Sequence, residues 1–155
     1  MKTFKTSKKQ YLTFVNSLVV FILSISFSFA QVDADETTDT GQTITVVVNK
    51  VKNNSGQIMF ALHTNDTWMK SQGIQNINSS IKDNTVTVTF KNVKPGAYAI
   101  MVLHDENENN RMDFENGMPQ ENYGMSNNPL SYGPPNFSEA KFEVTNKNLN
   151  FDVRF

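Results

Sequence analysis

The chain contains no cysteine. That excludes disulfide cross-links, thiolate metal ligands, a thiol nucleophile and a bacterial lipid anchor on cysteine. Histidine is scarce, with only His63 and His104. A zinc site would need ligands beyond that pair. By alternation His104 shares the face of Tyr98, Ile100 and Val102, which places it at the edge of a core. A basic surplus is missing as well, because the formal charge is −1, so nothing favours binding to nucleic acid. No Gly-x-Ser-x-Gly, His-Glu-x-x-His or P-loop pattern occurs. Ser126 has no base near it in the sequence, and no spacing singles out a glycosidase pair of carboxylates. These absences make a non-enzymatic protein the expectation, with no catalytic residue and no cofactor other than a weakly held Ca²⁺.

The one long apolar run lies at the N-terminus. Lys2, Lys5, Lys8 and Lys9 precede an uncharged stretch, residues 11–30, that closes on Ser28, Phe29 and Ala30. This is the three-part pattern of a secretory signal peptide cleaved between Ala30 and Gln31. A retained membrane anchor is the alternative, since the run approaches spanning length. Cleavage would leave ten Lys and Arg against 15 Asp and Glu, a charge of −5. The expected product is periplasmic or secreted, with no integral membrane segment. A chain of this size buries about two-thirds of its unfolded surface, so it folds without disulfides. Residues 31–41 are acidic and lack periodicity, which predicts a disordered leader. Residues 42–155 then form one domain.

Within that domain the hydrophobic period is two. Ile44, Val46 and Val48 share a face, as do Ile58, Phe60 and Leu62, and the turn cluster at residues 53–56 between them predicts a hairpin. Val86, Val88 and Phe90 alternate with Thr85, Thr87 and Thr89. "AYAIMVLHD" is apolar on both faces, as a central strand is. Leu149, Phe151, Val153 and Phe155 alternate at the end. A short helical turn around Trp68 is the one helical expectation. Six or seven short strands point to an all-β fold: a small antiparallel β-sandwich, immunoglobulin-like or prealbumin-like, with one long ordered loop. The expected core includes Val86, Val88, Phe90, Ile100, Val102, Phe142, Val144, Phe151 and Val153.

The loop, residues 106–136, is polar and rich in Asn, Gly and Pro. A segment of that length is usually functional or needs something to order it. At its start, Asp105, Asn107, Asn109 and Asp113 stand at the first, third, fifth and ninth positions of a calcium loop. Arg111 at the seventh would offer its carbonyl. Asn110 replaces the usual Gly of the sixth position, and Asn116 the usual Glu of the twelfth. With few carboxylates the expected affinity is weak, on the order of 10⁻⁴–10⁻³ M. The same spacing also suits an Asx-rich loop that bonds its own backbone. Phe114, Tyr123, Tyr132 and Trp68 are candidate ligand-binding aromatics, or anchors that pin the loop.

Residues 95–144, "PGAYAIMVLHDENENNRMDFENGMPQENYGMSNNPLSYGPPNFSEAKFEV", closely resemble the signature of a bacterial exported family, domain of unknown function 2141. The shared features are His104-Asp105-Glu106-Asn107, Asp113, Gly117 to Gly124 with Pro119 and Glu121, Ser126-Asn127, Gly133-Pro134-Pro135 and Phe137. Glu108 and Asn110 stand where that family usually carries Gly. The "PGAYAI" strand start is similar to that of carboxypeptidase-regulatory-like and collagen-adhesin repeat domains. The resemblance implies a small sandwich module, mostly non-enzymatic in kind. The expected function is binding of a glycan or protein at the cell envelope, or of an ion, through the loop 105–137. The alternatives are a small outer-membrane-associated β protein, since the chain closes on a strand and Phe155, or a hydrolase accessory or enzyme with its site in the same loop. A spanning barrel, however, needs more and longer strands than these.

Overall fold

The computed structural model describes residues 41–130 and 133–155. The expected signal peptide and nearly all of the leader lie outside the described residues, as do Ser131 and Tyr132. Strands β1 (Gln42–Asn49) and β4 (Thr85–Val93) pair antiparallel, and β10 (Leu149–Val153) pairs parallel to β1, forming a three-stranded sheet in the order β10-β1-β4. The second sheet is built around β5 (Gly96–Asp105), with β2 (Gln57–His63) on one side and β3 (Gln75–Ser80) beyond it. The other edge of β5 is shared. β9 (Phe142–Val144) takes residues 96–98 and β8 (Tyr123–Met125) takes residues 101–103.

Threonine and valine alternate along β1 and β4 because β-branched residues suit a pleated, half-buried surface. Ile44, Val46 and Val48 of β1 and Val86, Val88 and Phe90 of β4 turn inward against Ile58, Phe60, Leu62, Ile100 and Val102 of the opposing sheet, and all of these are buried in one cluster. Each such side chain contributes about 1.5–3 kcal/mol when fully buried. The expected core residues are all there. Phe142 and Phe151 are partly buried against the cluster, with ring centroids 4.4 Å apart. The all-β sandwich expected from the alternation is the fold observed.

Three features differ from the sequence expectation. β1 and β2 do not form a hairpin, because they belong to different sheets. The connection between them, residues 50–56, buries Val51 and fastens it to Asn84 (Val51 N–H to Asn84 O, 3.0 Å; Asn84 Nδ2 to Val51 O, 2.7 Å). That anchor carries the chain over the end of the sandwich, so the two alternating faces meet each other across the core. β3 was not apparent in the sequence. Its one large apolar side chain, Ile77, packs on the core, and the strand is otherwise polar and held by its backbone bonds to β2. The segment around Trp68 does make the short helical turn expected there (Trp68 N–H to Thr64 O, 3.1 Å; Ser71 N–H to Thr67 O, 3.1 Å), so the third difference is a short helix that the sequence did not show. That helix is α1 (Phe137–Ala140), capped by the Asn136 side chain on the Ser138 N–H.

The parallel β1–β10 pair follows from the last crossing. β9 lies in the five-stranded sheet and β10 in the other, so residues 145–148 return the chain alongside β1 in the same direction. Parallel neighbours require such a distant connection.

This packing makes a stability prediction. Phe90 is 0% exposed, whereas Thr87 is exposed on the opposite face. Phe90→Ala is expected to cost about 3–5 kcal/mol and Thr87→Ala within about 0.5 kcal/mol, both read from urea unfolding midpoints. Equal losses would mean that the inward face has been misassigned.

Candidate functional site

β5 ends on Asp105, which is 0% exposed. A buried carboxylate is tolerable only when its oxygens are hydrogen-bonded. Asp105 Oδ1 accepts the Asn109 N–H at 3.1 Å, and Oδ2 accepts the Asn110 N–H at 2.9 Å and Gln57 Nε2 at 2.9 Å. The loop thus folds back onto the strand that precedes it. The fold-back needs left-handed backbone at Glu108 (φ 58°) and Asn110 (φ 63°), the conformation that glycine adopts without steric cost. Gly56 completes the junction. A Cβ there would fall 2.0 Å from the Asp105 carbonyl oxygen.

The outer half of the loop is tied in the same manner. Asn109 Nδ2 donates to both oxygens of Asp113, at 2.9 and 3.0 Å, and Asn107 Nδ2 donates to Oδ2 at 2.6 Å. Asn109 Oδ1 accepts the Arg111 N–H, and the Arg111 guanidinium sits 3.6 Å from Asp113. Glu121 closes the loop from its far side. Its Oε1 accepts the Glu106 N–H at 3.0 Å and its Oε2 the Asp113 N–H at 3.2 Å. Asn107, Asn109 and Arg111 thus gather around Asp113, while Asp105 bonds the Asn109 and Asn110 backbone. An ion among them would have to displace N–H donors. Among the described residues no group of three or more His, Asp or Glu is arranged to hold a metal.

The rest of the loop roofs the outer face of the five-stranded sheet. Asn116 (φ 51°) and Gly117 (φ 80°) turn a two-residue-strand hairpin, β6 (Phe114–Glu115) with β7 (Met118–Pro119). Positive φ at both central positions is the habit of an Asn-Gly hairpin turn. Ser126, fully buried, fills the gap between β8 and β9. Its N–H donates to the Ile100 carbonyl, its Oγ accepts the Ile100 N–H at 3.0 Å, and its hydroxyl donates to the Ala140 carbonyl. Trp68, Ala99, Met125 and Ala140 form a second buried cluster on this face, with Phe137 packed edge-on against the indole. Trp68 Nε1 donates to the Pro135 carbonyl at 3.1 Å. His63 stands edge-on to the same indole, 5.5 Å between centroids. Burial lowers the His63 pKa from its ordinary value, opposed by a hydrogen bond from the ring to the Thr67 backbone, so burial favours the neutral ring.

Between roof and sheet is a cavity of about 660 Å³. Met101, Leu103 and Tyr123 form its floor. The β6–β7 hairpin contributes Phe114, Met118 and Pro119, and Met69 and the Pro134–Pro135 pair close the other side. Among the described residues, the lining side chains are apolar apart from that of Tyr123. Met69, Phe114 and Met118 at its edge are more than half exposed, at 61, 63 and 66%.

A sequence model of domain of unknown function 2141, described as an uncharacterized protein conserved in bacteria, matches residues 46–152. The chain belongs to this family. No curated protein and no solved structure matches it. The stretch matched as domain of unknown function 2141 includes the five-stranded sheet, most of the three-stranded one, the Asx-rich loop and the cavity-lining residues.

Of the candidate aromatics, Phe114 and Tyr123 line the cavity, Trp68 is buried beneath the loop as an anchor, and Tyr132 lies outside the described residues. Gln57, Glu121 and Ser126 hold the site together; the sequence pointed to Glu121 and Ser126 only as residues of the resembling signature, without these roles, and not to Gln57. Their partners are 48, 15 and 26 residues away, beyond the reach of a local pattern. The Asn116-Gly117 dipeptide was a readable signal for the β6–β7 hairpin.

Asp105→Ala would leave the Asn109 and Asn110 N–H groups and Gln57 without this acceptor. The expected loss is about 1–3 kcal/mol, equal in millimolar calcium and in chelator, measured as unfolding midpoints in both. A loss confined to the calcium buffer would show that the carboxylate acts through an ion.

Proposed function

We propose that this protein is an exported, non-enzymatic binding module whose loop and outer sheet face receive a small apolar organic ligand. The observation that carries the proposal is the cavity itself. Its volume, about 660 Å³, falls within the range of about 300–1,000 Å³ usual for small-molecule sites. Exposed Met69, Phe114 and Met118 border it, and grouped exposed apolar side chains commonly mark a binding surface. A glycan is disfavoured, because sugar hydroxyls need polar partners and the lining offers one phenol. Among the described residues the lining carries no carboxylate, imidazole or amine, which favours binding over acid–base chemistry. Export rests on the cationic start, the apolar run and the Ser28/Ala30 cleavage pattern. Among the described residues no helix is long and apolar enough to cross a membrane.

The test uses a neutral fluorescent naphthylamine as probe. Saturable binding to the protein is expected. Leu103→Asp, which puts a charge in the cavity floor, should weaken it by at least about tenfold, or 1.4 kcal/mol, with the circular dichroism of the sandwich retained. No saturable binding, or unchanged affinity in a folded Leu103→Asp variant, would overturn the proposal.

A further inference from the structure

We propose that the same cavity binds a soft monovalent cation, copper(I) or silver(I), through methionine thioethers. This rests on the cavity being an open binding site, as proposed above. Six methionines lie in the described residues, and four of them, Met69, Met101, Met112 and Met118, line this one cavity. They come from four separate segments: the turn after β2, the middle of β5, the Asx-rich loop and β7. Met59 and Met125 stand outside the lining.

A thioether sulfur is neutral, polarisable and soft, and such donors select copper(I) over hard cations. With no cysteine in the chain, thioethers are its only soft sulfur ligands. The apolar surroundings reinforce that selectivity. Calcium, magnesium and zinc would have to give up their water for sulfur in a site without carboxylates, at a large desolvation cost. Three carboxylates of the loop, Asp105, Asp113 and Glu121, are engaged by the loop's own N–H groups, and among the described residues none in the lining carries a carboxylate. Both histidines are buried and lie outside the lining. A thioether has no proton to lose, so affinity should not change between pH 8 and pH 5, unlike that of a thiolate or imidazole site.

Silver(I), which does not change oxidation state, is the probe. It is titrated into the purified protein in chloride-free buffer while the methionine methyl resonances are followed by carbon-13 NMR. One saturable site is expected, with the methyls of Met69, Met101, Met112 and Met118 moving together and those of Met59 and Met125 staying in place. Replacing the four lining methionines by leucine preserves the apolar lining at little cost. That variant should lose silver affinity by at least about tenfold while still binding the naphthylamine. The milder Met69→Leu/Met118→Leu pair, at exposed positions, should also lower it, and serves if the fourfold variant does not fold. Naphthylamine binding without silver binding in the unmutated protein would overturn the thioether site and leave the cavity reading intact. Unchanged silver affinity in either folded leucine variant, or shifts led by Met59 and Met125, would overturn it as well. Failure of both probes would end both readings.

Discussion

The Asp105 carboxylate is the constraint on which the rest of this structure depends. It sits at the end of the central strand, with no exposed surface, and bonds two backbone N–H groups and the Gln57 amide. Hydrogen bonds to an ionised acceptor are worth about 1.5–3 kcal/mol each. That is enough to hold Glu108 and Asn110 in left-handed backbone, which costs a non-glycine residue about 1–2 kcal/mol. The reversal sends the chain back toward Glu121, whose two oxygens bond the N–H groups of Glu106 and Asp113. From these bonds follow the position of the β6–β7 hairpin and the cavity beneath it.

The second determinant is the divided edge of β5. A central strand with apolar residues on both faces needs cover on both. The inner face is covered by the opposing sheet. The outer face is covered by Trp68, Met125, Ala140 and Phe137, which arrive on a turn, a short strand and a helix. Ser126 makes the division workable by supplying the missing donor and acceptor opposite Ile100. Asn128 then ties this region to the last strand, through its amide on the Asp152 carbonyl and the Arg154 N–H on its Oδ1. Gly124 packs so closely on that strand that a Cβ would come within 2.2 Å of the Arg154 carbonyl oxygen.

Burial was legible in the sequence, and partnership was not. Period-two alternation places Val86, Val88 and Phe90 inward because sheet geometry allows nothing else. It says nothing about which strand lies alongside, so β1 and β2 read as a hairpin although they face each other across the core. β3 has too few apolar residues to show a period at all. The spacing of Asp105, Asn107, Asn109 and Asp113 was visible, yet short oxygen-bearing side chains at alternate positions suit an ion and a self-bonded turn equally. The cavity was the least legible feature. Its methionines are scattered from position 69 to 118, and only the folded loop brings them together.

Native-state hydrogen exchange of the Asn109 and Asn110 amides tests the role of Asp105 most directly. These two N–H groups are the ones its carboxylate holds. If the buried carboxylate orders the loop, both amides exchange at least roughly ten- to a hundredfold below their intrinsic rates, the slowing that about 1.5–3 kcal/mol per bond supplies, in chelator as in calcium. Exchange of both at intrinsic rates in a folded protein, with β5 still protected, would contradict the account.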